Sequence, residues 1–144
     1  MSAYVLDAGA MIAYLRKETG WERVADALAE ADTACYAHAA QLAEVFYDFC
    51  RTADEGEAAR QVGILFAAGV KAREDMDTLF WQDLARIKAG PNPSFADCFC
   101  LALARRVEAP VLTTDHHELD KDEIRALCQV QFIREKPPKK APAP

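Results

Sequence analysis

The opening of the chain constrains its fold more than any other stretch. Ala3-Tyr4-Val5-Leu6-Asp7 is a short apolar run ending in a carboxylate, and Met11-Ile12-Ala13-Tyr14-Leu15 follows at once with helical spacing. A buried strand that passes without a linker into a helix reads as the start of a βαβ unit. Asp7 then stands at the carboxyl end of the first strand. In open α/β sheets ligands bind at that edge, because strand ends and helix starts converge there around a crevice.

The alternation continues along the chain. Helices are expected over 9–17, 21–31, 41–51, 57–68 and 77–89, and Leu42, Val45, Phe46 and Phe49 repeat at i, i+3, i+4 and i+7 as a core-facing stripe. Gly69 is placed to close one helix as a C′ residue. Gly90-Pro91-Asn92-Pro93 stops the next, since proline cannot continue the hydrogen-bond ladder. Ser94 with Asp97 three residues on is a capping pattern ahead of Leu101, Ala102 and Ala104. Strands are expected over 33–36, 70–73 (a short edge strand), 110–114 and 130–133. Such alternation implies an α/β fold with a parallel sheet covered by helices on both faces. Residues 1–135 read as one domain, and 136–144, made of proline, lysine and alanine after Glu135, as a disordered tail.

Composition narrows the function classes. No apolar run approaches the roughly 20 residues that span a bilayer, and no basic segment precedes a hydrophobic one at the N-terminus, so a cytoplasmic protein without a membrane role is expected. Cys35, Cys50, Cys98, Cys100 and Cys128 form no C-x-x-C pair and have mostly apolar neighbours, which suits small buried hydrophobes in a reducing compartment. The net charge of −6 argues against bulk attraction to nucleic acid, yet it permits a cluster of carboxylates awaiting cations.

Four acids fall on one edge of the expected sheet. Asp7 follows the first strand, Glu44 lies early in the helix after the second, Asp97 lies in the first turn of its helix, and Asp115 follows the fourth strand. Each has a structural reading of its own: Asp7 as a helix N-cap, Asp97 as the acid of a capping box, Asp115 as a turn residue. Glu44, beside the core stripe, needs a partner. Carboxylates gathered at one edge repel and shift one another's pKa unless a cation neutralises them. Mg²⁺ and Mn²⁺ prefer such oxygen ligands, and they activate water and neutralise charge on a phosphate under attack. The chemistry suggested is phosphodiester hydrolysis. No residue stands out as a covalent nucleophile.

Tyr4-Val5-Leu6-Asp7-Ala8, Leu42-Ala43-Glu44-Val45, Ser94-Phe95-Ala96-Asp97-Cys98 and Val111-Leu112-Thr113-Thr114-Asp115 resemble, in order and spacing, the four motifs of the PIN-domain ribonucleases, and the size resembles the VapC-type toxins of toxin–antitoxin pairs. The resemblance implies a five-stranded parallel sheet in a three-layer α/β/α sandwich and Mg²⁺- or Mn²⁺-dependent cleavage of single-stranded RNA. It also implies frequent homodimerisation and inhibition by a small antitoxin whose tail enters the acidic groove. Carried over position by position, Asp7, Glu44, Asp97 and Asp115 are the metal-binding, catalytic acids. Gly9 departs from the serine or threonine usual two residues after the first acid, and loss of a supporting hydroxyl can weaken metal affinity or activity roughly 10- to 100-fold. Another acid often lies nearer the fourth motif's first, so Glu118 and Asp120 are secondary metal candidates.

Other residues carry weaker expectations. His116 and His117 read as solvated surface histidines. Arg16, Lys17, Arg51, Arg105 and Arg106 are possible phosphate contacts, while Trp21, Phe80 and Trp81 suit core or dimer packing better than base stacking. Two alternatives stand beside the nuclease: a PIN-like scaffold or partner-binding module that has lost catalysis, with Gly9 as its sign, and a phosphoacceptor domain. The second expects a neighbouring acid pair after the first strand and a lysine after the last, whereas Asp7 is followed by Ala8-Gly9 and the last strand by no clear equivalent.

Overall fold

The computed structural model describes residues 2–138, and residues 139–144 of the expected tail lie outside them. Five parallel strands, β1 (Ser2–Leu6), β2 (Thr33–His38), β3 (Val70–Arg73), β4 (Val111–Thr113) and β5 (Val130–Phe132), form one sheet in the order β3-β2-β1-β4-β5. Helices α1 (Ala8–Arg16), α2 (Trp21–Ala29), α3 (Ala39–Thr52) and α4 (Glu55–Ala68) contribute to one core, and α5 (Thr78–Ala89) and α6 (Phe95–Val107) to the other. The expected α/β/α sandwich is the observed one.

Strand alternation divides the two cores. Leu6 and Leu112 face the first, with Met11, Val24, Val45 and Leu65, while Val5 and Val111 face the second, with Phe80, Leu84, Leu101 and Leu103. All ten are buried. A strand covered on both faces must be apolar at successive positions, which is why β1 and β4 read as continuous apolar runs rather than alternating ones.

Helix ends follow their caps. Asp54 accepts from the Glu57 backbone N–H at 2.7 Å, so α4 starts two residues before the expected position, and Gly69 ends it in the left-handed region at φ 112 as expected. Ser94 caps α6 by accepting from Asp97 N–H at 3.2 Å. The cap of α3 is a histidine: His38 Nδ1 accepts from Ala40 N–H at 3.0 Å, and Nε2 lies 2.9 Å from the Asp75 carbonyl. This pairing requires the neutral ring with its proton on Nε2. Two short helices, α7 (His116–Leu119) and α8 (Asp122–Arg125), lie between β4 and β5, where no element was expected.

The environment of His116 differs from the one its sequence suggests. His116 is no solvated surface group. Its ring stacks on Phe132 with centroids 3.9 Å apart, and Nε2 lies 2.9 Å from the Arg134 carbonyl, which ties α7 to the chain beyond β5. His117 is exposed as expected.

Candidate functional site

From β1 the sheet grows one way through β2 to β3 and the other way through β4 to β5. The carboxyl ends of β1 and β4 therefore flank the topological switch point, where an open sheet leaves a crevice. Asp7 and Asp115 leave the sheet on its two sides. Helix α3 carries Glu44 to the same crevice, and α6 carries Asp97. The four acids line one cavity of about 400 Å³ together with Ala8, Gly9, Ile12, Gln41 and Thr114.

Asp7 is at once helix cap and cavity residue. Its Oδ1 accepts from Ala10 N–H at 2.8 Å, and its Oδ2 accepts from the Thr113 hydroxyl. Those bonds favour the charged form, yet burial outweighs them and, with the charges of Asp115 and Glu44, pushes the carboxyl up to about 7. Asp97 is also driven up to about 7, by burial first and then by the charges of Asp7, Asp115 and Glu44, against the hydrogen bond at Ser94. Burial and the nearby Asp115 raise Glu44 as well. Asp115 caps α7 by accepting from Glu118 N–H at 2.9 Å.

Two residues that the sequence did not single out hold these acids in place. Gln41 is fully buried; its Oε1 accepts from Ala8 N–H at 2.8 Å, and its Nε2 donates to the Ala96 carbonyl at 2.7 Å. One side chain of α3 thus fixes the residue after Asp7 and the residue before Asp97. The available signal was its place three residues ahead of Glu44 on a helix whose core face demanded partners for polar groups. Thr113, also fully buried, donates to Asp7 and accepts from Asp115 N–H at 2.9 Å.

The secondary candidates do not join the cavity lining. Asp120 is turned to Arg125 and to His116 Nδ1, 3.2 Å away, and these partners pull its carboxyl below the usual range. Most of the basic candidates are already engaged within the chain. Arg16 pairs with Asp48 at 2.7 Å, Arg105 with Asp83 at 2.9 Å, and Arg106 with Asp75 and Asp77, while Lys17 lies over the Trp21 ring at 4.1 Å. Arg51 is exposed, Phe80 is buried in the second core, and Trp81 is 44% exposed.

Among the described residues, no three His, Cys, Asp or Glu side chains are gathered tightly enough to hold an ion as they stand. The donor set nonetheless suits a hard divalent cation. It is all oxygen and acidic, and Asp7, Glu44 and Asp97 are each pushed upward partly by a neighbouring carboxylate, a repulsion that a cation relieves.

Residues 4–123 match the family profile described as PIN domain. No curated protein is similar enough in sequence to count as a match. Several solved structures share the fold. VapBC2 from Rickettsia felis bound to a DNA fragment from its promoter aligns with TM-score 0.70 at 12% identity, over 90% of this chain and 98% of that one. VapBC-1 from nontypeable Haemophilus influenzae aligns with TM-score 0.67 at 17% identity, over 91% and 98%. VapC20 from Mycobacterium tuberculosis, described as a Sarcin-Ricin loop cleaving toxin, aligns with TM-score 0.63 at 15% identity, over 79% and 91%. At these identities the likeness is one of fold.

Proposed function

The chain belongs to the PIN domain family, and from that premise we propose that it is a Mg²⁺- or Mn²⁺-dependent endoribonuclease acting on single-stranded RNA, the toxin of a toxin–antitoxin pair. The observation that carries this reading is the convergence of Asp7, Glu44, Asp97 and Asp115 on one cavity at the sheet's switch point. These acids are the groups that would hold the cation.

A divalent cation bound there would supply a nucleophile near neutral pH and offset charge on the phosphate under attack. The chain's own residues do the positioning. Ala10 N–H and Thr113 hold the two oxygens of Asp7, Ser94 starts the helix that presents Asp97, and Gln41 locks the two backbones together. Asp7 and Asp97, driven up to about 7, hold their protons into the neutral range, and a bound cation would favour their release.

Partners are proposed on similar grounds. Several structures that share the fold are toxin–antitoxin complexes, including one from Klebsiella pneumoniae, and an acidic cavity suits a basic side chain from such an antitoxin. Exposed Met76, Leu79 and Trp81 around α5 support a homodimer. Among the described residues no helix is long and apolar enough to cross a membrane, and the cytoplasm is the proposed location.

The test is incubation of the purified, inhibitor-free protein with a mixed single-stranded RNA pool, with duplex RNA and single-stranded DNA alongside, in Mg²⁺, Mn²⁺ or EDTA. Cleavage of the single-stranded RNA that EDTA abolishes is the expected result. A folded protein that cleaves nothing in either metal overturns the reading in favour of a binding module.

A further inference from the structure

Gly9 follows Asp7 and Ala8 inside α1, where its backbone has no need of glycine: the positive-φ glycines among the described residues are Gly20 and Gly69. What glycine provides at position 9 is space. A Cβ built there would fall on the Thr114 hydroxyl, with Asp7 Oδ1 3.6 Å away. The absent side chain and the present hydroxyl occupy the same place, beside the first acid and inside the cavity that all four acids line.

Thr114 is set apart from the threonine before it. The Thr113 hydroxyl is committed twice, donating to Asp7 and accepting from Asp115 N–H at 2.9 Å, whereas no described residue takes up the Thr114 hydroxyl. Its backbone is fixed all the same: the Thr114 carbonyl accepts from His116 N–H at 3.1 Å at the start of α7. A polar group is thus held at the cavity wall by its own main chain and admitted there by a missing side chain on the facing helix.

We propose that Thr114 supplies the neutral oxygen of the cation site through the hydroxyl that Gly9 admits beside Asp7, so that positions 9 and 114 work as a pair. The proposal rests on the metal-dependent reading above. Around a divalent cation, carboxylates provide charge but repel one another, and a hydroxyl completes the oxygen set without adding to that repulsion. Replacing Gly9 by serine in the native background restores nothing, because its Cβ displaces the hydroxyl already there.

Calorimetric titration of the metal-free protein with Mn²⁺ at fixed pH tests the pairing, with a thermal melt to establish that each variant is folded. Thr114→Val is expected to weaken Mn²⁺ binding roughly 10- to 100-fold while Thr114→Ser retains it. Gly9→Ala, which alters no oxygen ligand, is expected to reproduce the Thr114→Val loss by expelling the hydroxyl. Gly9→Ser combined with Thr114→Ala is expected to recover most of the affinity by returning a hydroxyl from the other side. Wild-type affinity in folded Thr114→Val or in Gly9→Ala overturns the pairing. If those two match wild type while Asp97→Asn loses binding, the pairing fails and the metal site stands. A wild-type protein that binds no Mn²⁺, or binds it no better than Asp97→Asn, overturns both.

Discussion

The Thr113 hydroxyl donates to Asp7 Oδ2 and accepts the Asp115 backbone N–H at 2.9 Å, so a single buried side chain joins an acid after β1 to an acid after β4. Its bond lowers the Asp7 pKa against the upward push of burial. Thr113→Val keeps the shape, removes both bonds and leaves a buried carboxylate oxygen short of a donor. A loss of about 1–3 kcal/mol is expected, together with an alkaline displacement of the pH–activity profile. Denaturant unfolding and a pH series on cleavage check the two effects separately.

Gln41 joins three acid-bearing elements without being an acid. Gln41→Leu keeps the volume but strands Ala8 N–H and the Ala96 carbonyl, which Gln41 bonds at 2.8 and 2.7 Å. With about 1–3 kcal/mol for each of the two buried polar groups left unpaired, a loss of roughly 2–6 kcal/mol is expected. Cleavage by the folded fraction should also fall, because Asp7 and Asp97 lose their common brace. Urea midpoints and kcat measured well below the melting temperature check both.

The raised acids set the pH dependence of the metal-free protein. Asp7 and Asp97 stand near 7 in the folded chain against an ordinary 3.8, so between about pH 4 and 7 the folded chain holds protons that the unfolded chain has released. Stability from this pair is therefore highest below about pH 4, falls through that window and levels off above about 7. The lowered carboxyls of Asp75 and Glu57 act in the opposite direction, but only below about pH 4. In EDTA, Asp97→Asn should melt higher than wild type at pH 8 and show a shallower decline from pH 5 to pH 8. Parallel curves would show that Asp97 is not raised.

Glycine is needed for different reasons at different positions. Gly20 has φ 92 at the start of α2, and a Cβ there would fall on the Ile133 carbonyl at the end of the β5 segment. Gly20→Ala should cost at least about 1–2 kcal/mol, from the left-handed backbone and the close approach together. Gly63, within α4, has nothing within 4 Å of its Cβ position. Gly63→Ala should stabilise by up to about 1 kcal/mol. Thermal melts of the two variants side by side check the contrast.

Much of this arrangement was legible along the chain because it rests on local patterns. The apolar run into Asp7, the Ser94 cap with Asp97 behind it and the stripe from Leu42 to Phe49 each announce an element through its own period or end chemistry, and the acids follow from where those elements stop. What was not legible depends on contacts between distant segments. Gln41 bonds residues 33 and 55 positions away, and nothing local to it reveals either bond. His116 reads as a surface residue in His116-His117-Glu118 because its stacking partner, Phe132, lies in a different element, β5. Gly9 reads alone as a lost hydroxyl, and only the closure of β1 against β4 shows another hydroxyl standing in its place.

The measurement that bears most directly on the central claim compares wild type with Asp97→Asn on single-stranded RNA in Mn²⁺, with the melting temperature of each protein recorded in the same buffer. Wild type is expected to cleave, and Asp97→Asn, folded and no less stable, is expected not to. An Asp97→Asn protein that cleaves at the wild-type rate would contradict the central claim, since the cavity lined by Asp7, Glu44, Asp97 and Asp115 would then not be where the phosphodiester is broken.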